Sequence, residues 1–275
     1  MPNYKRILTI QDISCVGQCS MTVALPILSA CGHETCILPT AILSTHTGGF
    51  GKPAVAHFAG ALTDMARHWK ENNITFDAIL VGYLGSIRAV EAAANIIDTM
   101  LAPGGISIVD PAMADNGKLY SGFDEQYVQA MHWLCRKADI ILPNLTEAAI
   151  FTENPYEDKP AAGYVSDLLR ALDHPCVVLT GVGYRDGETG VMLQRGDQCT
   201  HYLHRRIGKS YHGTGDIFAA CFTGCLMQNN TMQEAVQLAA DFTCRCIENT
   251  VKNPAHWYGV KFETAIPWLV QALGL

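Results

Sequence analysis

The stretch Lys209–Leu226, KSYHGTGDIFAACFTGCL, places two glycines and a carboxylate at the mouth of a segment whose apolar residues recur with helical spacing. Gly213, Thr214 and Gly215 can bring successive backbone N–H groups to one point, because glycine tolerates positive φ and has no side chain in the way. The helix that follows adds its positive end, and the two together form an anion hole suited to a phosphoryl group in transfer. Asp216, in the first helical turn, would face the same point and could accept a proton from an attacking hydroxyl. The plainer alternative is a capped helix after a flexible turn, with Asp216 complementing the dipole. A helix N-terminus lowers a carboxylate's pKa and incoming phosphates raise it, so sequence alone leaves the working pKa open.

Working outward, the rhythm is strand, glycine turn, helix. RILTIQD (6–12) reads as a strand, ISCVGQCS as a loop, and MTVALPILSACG as a helix that stops at Gly32. The spacing of AVAHFAGALTDMARHWKE (54–71) predicts an amphipathic helix; FDAILVGYLGS (76–86) reads as a strand entering a loop, and VEAAANIIDTMLA (90–102) as a helix. GISIVDPAM (105–113), ADIILPN (138–144) and HPCVVLTG (174–181) are β-rich runs, apolar throughout, as strands buried on both faces are. Helices between them imply a mostly parallel sheet covered on both sides. Residues 187–206 break the rhythm with an antiparallel hairpin turning at Gly196-Asp197, and the last third is helical over 216–229, 231–249 and 262–273. With no linker, repeat or low-complexity tract, one doubly wound α/β domain over 1–275 is expected.

The chain has 275 residues, 49% hydrophobic and 16% charged, enough for a large core. A net charge of −7 without a lysine or arginine block argues against nucleic acid and anionic membranes as partners. MPNYKRILTIQ runs from polar residues into a strand with no apolar signal region, and no eighteen apolar residues run together, so a soluble, cytoplasmic protein is expected. The eleven cysteines are scattered without a C-x-x-C pair and read as small apolar fillers, with metal or catalytic thiols as the alternative.

In parallel sheets ligands collect beyond the carboxyl ends of the strands. Asp12, Tyr83, Asp110, Asn144, Glu147, Thr180 and Gly181 all fall there on this reading. Asp110 and Asp115 in DPAMADNG, with Asn144 and Glu147 in PNLTEAA, are oxygen donors suited to Mg²⁺ and nucleotide phosphates. Asn144 and Glu147 are equally an N-cap and its capping-box partner. STHTGGFGK (44–52) lines a ligand pocket or is a surface loop; its spacing is not that of a Walker loop. No G-x-G-x-x-G follows the first strand, which argues against a dinucleotide-dependent dehydrogenase.

Taken in order, TIQD…VG, STHTGGFG, VGYLGS, DPAMAD, PNLTE, VVLTG and HGTGD resemble the ribokinase-like superfamily, and within it the pyridoxal/pyridoxamine (vitamin B6) kinases, from about residue 6 to 250. GTGD is shared by many sugar and vitamin kinases; HTGGFG, GYLGS and the early IQD are more particular to B6 kinases. The resemblance implies a three-layer fold with helices on both faces of the sheet. It also implies ATP as co-substrate, Mg²⁺ with room for K⁺, and phosphorylation of the 5′-hydroxymethyl group of a B6 vitamer by a homodimer. It casts Asp216 as general base and Gly213, Thr214 and Gly215 as the anion hole. Asp12, Cys19, Leu43, His46, Thr47 and Tyr83 fall on the vitamer pocket. Asp110, Asp115, Tyr120, Asn144, Thr180, Gly181 and Thr214 fall on the nucleotide, and Asp110 and Glu147 on the metal. Three positions depart from the pattern: Asp12 stands where serine is common, Leu142 where many relatives have threonine, and Leu43 where some have an aromatic. The rival readings are a hydroxymethylpyrimidine kinase, in which the residue after the last GTG is often cysteine, and a non-catalytic vitamin carrier on the same fold.

Overall fold

In the computed structural model, which describes residues 3–208, 211–253 and 255–275, the short apolar runs of the sequence are strands because each has a helical layer on either face. Lys209 and Ser210, at the start of the glycine-bearing stretch, lie outside the described residues. The chain runs β1 (Arg6–Ser14), α1 (Met21–Ala30), β2 (Glu34–Leu43), β3 (Val55–His57), α2 (Leu62–Glu71), β4 (Phe76–Val81), α3 (Ile87–Met100) and β5 (Leu101–Val109). A small hairpin of β6 (Ala114–Asp115) and β7 (Lys118–Leu119) precedes α4 (Glu125–Cys135), β8 (Ile140–Ile141), α5 (Leu145–Phe151), α6 (Ala162–Leu172) and β9 (Cys176–Thr180). The hairpin of β10 (Glu188–Arg195) and β11 (Gln198–Arg205) leads to α7 (Thr214–Met227), α8 (Met232–Val251), a 3₁₀ turn (Phe262–Thr264) and α9 (Ile266–Ala272).

Among the described residues nine strands form one sheet in the order β11-β10-β9-β8-β5-β4-β1-β2-β3. The six strands from β9 to β2 are parallel, and the antiparallel pairs lie at the two edges. Alternate residues of the central strands feed separate cores. Leu8, Ile10, Ile79, Val81, Val109 and Leu179 pack under α2 to α6, while Ile7, Leu80, Ile108 and Val178 pack under α1, α7, α8 and α9. The expected three-layer α/β architecture is therefore present, and the edge hairpin turns at Gly196-Asp197 as expected.

Several elements differ from the sequence reading. The predicted helix 54–71 starts only at Leu62, because Val55–His57 pairs with Ala41–Leu43 and caps the free edge of β2. The β2 strand itself escaped the sequence reading: Pro39 argues against a ladder position, yet it pairs where β1 bulges between Gln11 and Ile13. The predicted helix 90–102 begins at Ile87, where Ser86 accepts a bond from the Ala89 N–H, and ends at Met100. The predicted helix 262–273 is a 3₁₀ turn followed by α9. The β6–β7 hairpin was signalled by Asn116-Gly117, whose φ angles of 51° and 75° suit a type I′ turn.

The entry of α8 is closed by a reciprocal capping box between Thr231 and Glu234, well exposed and remote from the strand ends. Thr231→Ala is expected to destabilise the protein by about 1 kcal/mol. Thermal unfolding should show this as a fall of about 2–4 °C.

Candidate active site

Parallel strands share one carboxyl edge, so the residues just beyond them converge. Asp12 lies near the end of β1, Tyr83 follows β4, Asp110 follows β5, Asn144 follows β8, and Thr180 and Gly181 end β9. The entry of α7 meets the same edge. Gly213 caps α7 at φ 80°, and a Cβ there would collide with the Gln18 carbonyl oxygen, so the turn rests directly on the loop after β1. The Thr214 hydroxyl donates to the Tyr211 carbonyl at 3.2 Å and stiffens the turn.

Of the two glycines, Gly213 alone uses the positive φ that glycine tolerates. Gly215 is already helical, and its role is spatial: a Cβ there would stand 3.9 Å from Asp110 Oδ2, in the gap between the helix entry and that carboxylate. Asp216 is the third residue of α7. Desolvation and the nearby Asp12 carboxylate push it up to about 6, against the downward pull of the Ser20 amide.

On one side of Asp216 lie the residues expected to take the vitamer. Asp12 is buried, accepts a bond from Ser14 Oγ at 3.1 Å and also engages Ser20. Burial raises its pKa despite these hydroxyls, and among the described residues it has no ion-pair partner. The Cys19 thiol is buried beside Asp216 and Asp12 and is held well above its ordinary pKa, a poor nucleophile. Tyr83 stands near Asp12, and burial followed by that charge raises its phenol. Leu43 is buried and its carbonyl accepts from the Cys15 N–H at 2.9 Å, while the His46 N–H donates to Val16 at 2.8 Å. These bonds tie the STHTGGFGK loop to the loop after β1. Thr47 is exposed on that loop.

On the other side lies an acidic group. Asp110 accepts one bond, from the Ala112 N–H at 3.2 Å. Burial, then Glu147 and Asp216, holds its pKa well above the carboxylate range. Glu147 and Asn144 form a capping box at the start of α5. The Glu147 oxygens also accept from Met113 and Ala114, and Asn144 donates to the Ala114 carbonyl at 2.8 Å. The pair therefore clamps the chain leading into β6. Desolvation still lifts Glu147 to about 7. Asp115 is exposed and is bonded by Asn116; Tyr120 is likewise exposed, and burial of its hydroxyl end, then the Glu147 and Asp115 charges, raises its phenol. Thr180 is bridged to Asn144, and Gly181 turns at φ 77° with open space beside it. Leu142 is buried in the core and offers no polar contact.

Three contacts were not foreseen. Ser20 reaches Asp12 only through the fold. His212, immediately before Gly213, lies with its ring centroid 4.6 Å from that of His46. Phe123 lies 5.5 Å from Tyr83, ring to ring. The last had a local signal, since Tyr-Ser-Gly-Phe at 120–123 is a turn sequence that folds its two aromatics onto the site.

Known proteins share the fold and much of the chain. A family model described as phosphomethylpyrimidine kinase matches residues 30–260. A pyridoxine/pyridoxal/pyridoxamine kinase from Bordetella avium is 25% identical over 253 residues, covering 89% of this chain and 85% of that protein. The crystal structure of pyridoxal kinase from Lactobacillus plantarum superposes with a TM-score of 0.90 at 31% identity, over 98% of this chain and 97% of the other. A Bacteroides thetaiotaomicron protein of the phosphomethylpyrimidine kinase type, crystallised with pyridoxal, gives 0.87 at 31% identity, over 98% and 96%. Fold and likeness together define a small-molecule kinase of the ribokinase-like class. The chain belongs to the phosphomethylpyrimidine kinase family, which includes the ribokinase-like pyridoxal kinases.

The raised carboxylates carry a stability consequence. Asp216 and Glu147 hold their protons more tightly folded, at about 6 and about 7, than unfolded, at about 4. The stabilisation from that protonation is complete below the unfolded values and is lost as pH rises through 6 to 7. The ligand-free protein should therefore melt at higher temperature at pH 5.5 than at pH 8. Asp216→Asn should raise the melting temperature at pH 8 and reduce this pH dependence.

Proposed function

We propose that the protein transfers the γ-phosphoryl group of ATP to the 5′-hydroxymethyl group of a B6 vitamer, with Asp216 as general base. The observation that carries this reading is the placement of Asp216. It stands on a helix whose glycine entry opens toward Asp110, and its pKa of about 6 lets it be ionised near neutrality while remaining basic enough to accept a proton. The Asp216 carboxylate takes the hydroxyl proton as that oxygen bonds to the γ-phosphorus and the bond to the β-phosphate oxygen breaks, releasing ADP. The amides of Gly213, Thr214 and Gly215 and the positive end of α7 stabilise the charge that spreads over the phosphoryl oxygens. Tyr120, Asp115, Asn144, Thr180 and Gly181 border the nucleotide side. No covalent enzyme intermediate is needed, since positioning and electrostatics dominate such transfers.

The donor set also fits Mg²⁺. Asp110 leaves most of its lone pairs free, while both Glu147 oxygens accept main-chain N–H groups. Among the described residues no three His, Cys, Asp or Glu side chains converge to hold a metal alone. An ion held by Asp110, more remotely by Glu147, by water and by phosphate oxygens matches that arrangement and would neutralise phosphate charge.

A hydroxymethylpyrimidine is the second substrate reading, favoured by the description of the matching family model. Asp216 at the position after GTG, and the likeness to a protein crystallised with pyridoxal, support the vitamer instead. ATP consumption measured side by side with pyridoxal, pyridoxamine, pyridoxine and hydroxymethylpyrimidine separates the two. Turnover confined to hydroxymethylpyrimidine would overturn the proposal, and Mg²⁺-dependent turnover of none would overturn the kinase reading itself.

Asp216→Asn should lower turnover by about 10²–10⁴ with little change in substrate binding. Near-normal kcat would remove Asp216 from the mechanism. In the wild type, the acidic limb of kcat/KM should lie near pH 6.

Asp12 is a buried carboxylate with hydroxyl partners and no described cation, so it suits the aminomethyl ammonium of pyridoxamine. A charge-assisted hydrogen bond of about 1.5–3 kcal/mol sets a preference of at most about 10–150-fold. Asp12→Ser should lower kcat/KM for pyridoxamine, leave pyridoxal equal or better, and move the acidic limb to lower pH by removing a charge that raises Asp216. An equal loss for both vitamers would indicate pairing at the ring nitrogen instead, and no loss for either would exclude contact with substrate.

A further inference from the structure

The two substrate sides of the active site are joined by one tight turn. Residues Tyr120–Phe123 close on themselves, the Phe123 N–H donating to the Tyr120 carbonyl at 3.2 Å. Gly122, third in the turn, has φ 93°, a conformation that favours glycine and fits a type II geometry. The first residue of the turn is tied to the acidic group through the main chain: the Tyr120 N–H donates to the Met113 carbonyl at 2.8 Å, and the Met113 N–H donates to Glu147 at 2.9 Å. Phe123 lies against Tyr83, with centroids 5.5 Å apart and planes inclined by 32°. Its other side stacks on Tyr127 of α4 at 3.7 Å and 3°. Tyr83 in turn faces Asp12 in the proposed vitamer pocket.

Tyr127 is buried, and its N–H is held by the Asp124 N-cap at 3.0 Å, so Phe123 is backed by a fixed ring. Its neighbours along the turn, Ser121 and Gly122, are exposed and without such backing. A half-buried ring between a fixed ring and a substrate-facing one transmits position in a way that a side chain packed only on the core does not.

We propose that Phe123 is a positioning residue that couples the two substrates. A vitamer seated against Tyr83 holds that ring on Phe123, and the turn then holds the Met113 segment and Glu147 at the nucleotide side, so each substrate tightens the binding of the other. The proposal rests on the assignment of the vitamer and nucleotide sides given above. Aromatic contacts of this geometry support a coupling of about three- to tenfold, and linkage makes it reciprocal.

Calorimetric titration of a non-hydrolysable ATP analogue with Mg²⁺, with and without saturating pyridoxamine or pyridoxal, tests this directly. In the wild type the vitamer should tighten the nucleotide by about three- to tenfold. In Phe123→Ala the ratio should fall to about one, while Phe123→Tyr, which keeps the ring, should retain it. Phe123→Leu fills much of the same volume on Tyr127 without a flat face toward Tyr83. It should lose the coupling with little change in melting temperature, which separates coupling from simple packing. Coupling preserved in both the alanine and leucine variants, or wild-type protein that binds both substrates independently, would overturn the proposal alone. Wild-type protein that fails to bind either vitamer would overturn the functional assignment and this proposal with it.

Discussion

The active site depends on one main-chain contact, that of Gly213 on the carbonyl of Gln18. No side chain fits between them, and the φ of 80° at Gly213 favours glycine. This close approach brings the start of α7 down onto the loop after β1, and so brings Asp216 beside Asp12, Cys19 and Ser20. The same loop is bonded to Leu43 and His46 through Cys15 and Val16. Gly17 allows this second approach, since a Cβ there would lie 2.5 Å from the His46 Cβ. Two glycines thus let three chain segments, far apart in sequence, share one point at the sheet edge.

That convergence concentrates negative charge. Asp12, Asp110, Glu147 and Asp216 all sit above their ordinary pKa values, with desolvation the leading cause for each. The N-terminal end of α7 would by itself lower the pKa of Asp216. Burial and the neighbouring Asp12 outweigh it, and the result of about 6 suits a base that works near neutrality. An arrangement that is unfavourable in the empty protein is what a cation, a protonated vitamer or a transferring proton would relieve, so stability and activity pull in opposite directions at this edge.

The sequence made the layered fold legible because buried parallel strands are apolar on both faces, and six such strands occupy the middle of the sheet. It hid β2, because Pro39 reads as a breaker unless the bulge opposite it is known, and it hid β3, whose three exposed residues merge into the apolar spacing of the helix that follows. Asp216 and Gly213 could be picked out locally, since turn chemistry and helix entry are encoded in adjacent residues. Gly215 shows the limit of that logic: its composition suggested a turn, but the helix had already begun, and only Asp110, more than a hundred positions away in sequence, shows what its missing side chain leaves room for. Ser20 on Asp12 was illegible for a like reason, because a tertiary partner leaves no periodicity in the chain, and of the Phe123 contact only the turn that carries it was legible.

Asn144 and Glu147 show why a carboxylate near the proposed phosphate site need not be a direct ligand. Both readings of this pair, metal donor and helix cap, were open in the sequence, and the structure commits both Glu147 oxygens to main-chain N–H groups of Met113, Ala114 and Asn144. A carboxylate so engaged is fixed in place, which makes it an anchor for the chain between Asp110 and the β6–β7 hairpin. Asp110, with one amide contact, retains the freedom to meet a cation. The acidic group therefore divides its labour by hydrogen bonding: Glu147 sets where the segment runs, and Asp110, aimed at the gap left by Gly215, is the member free to respond to what enters it.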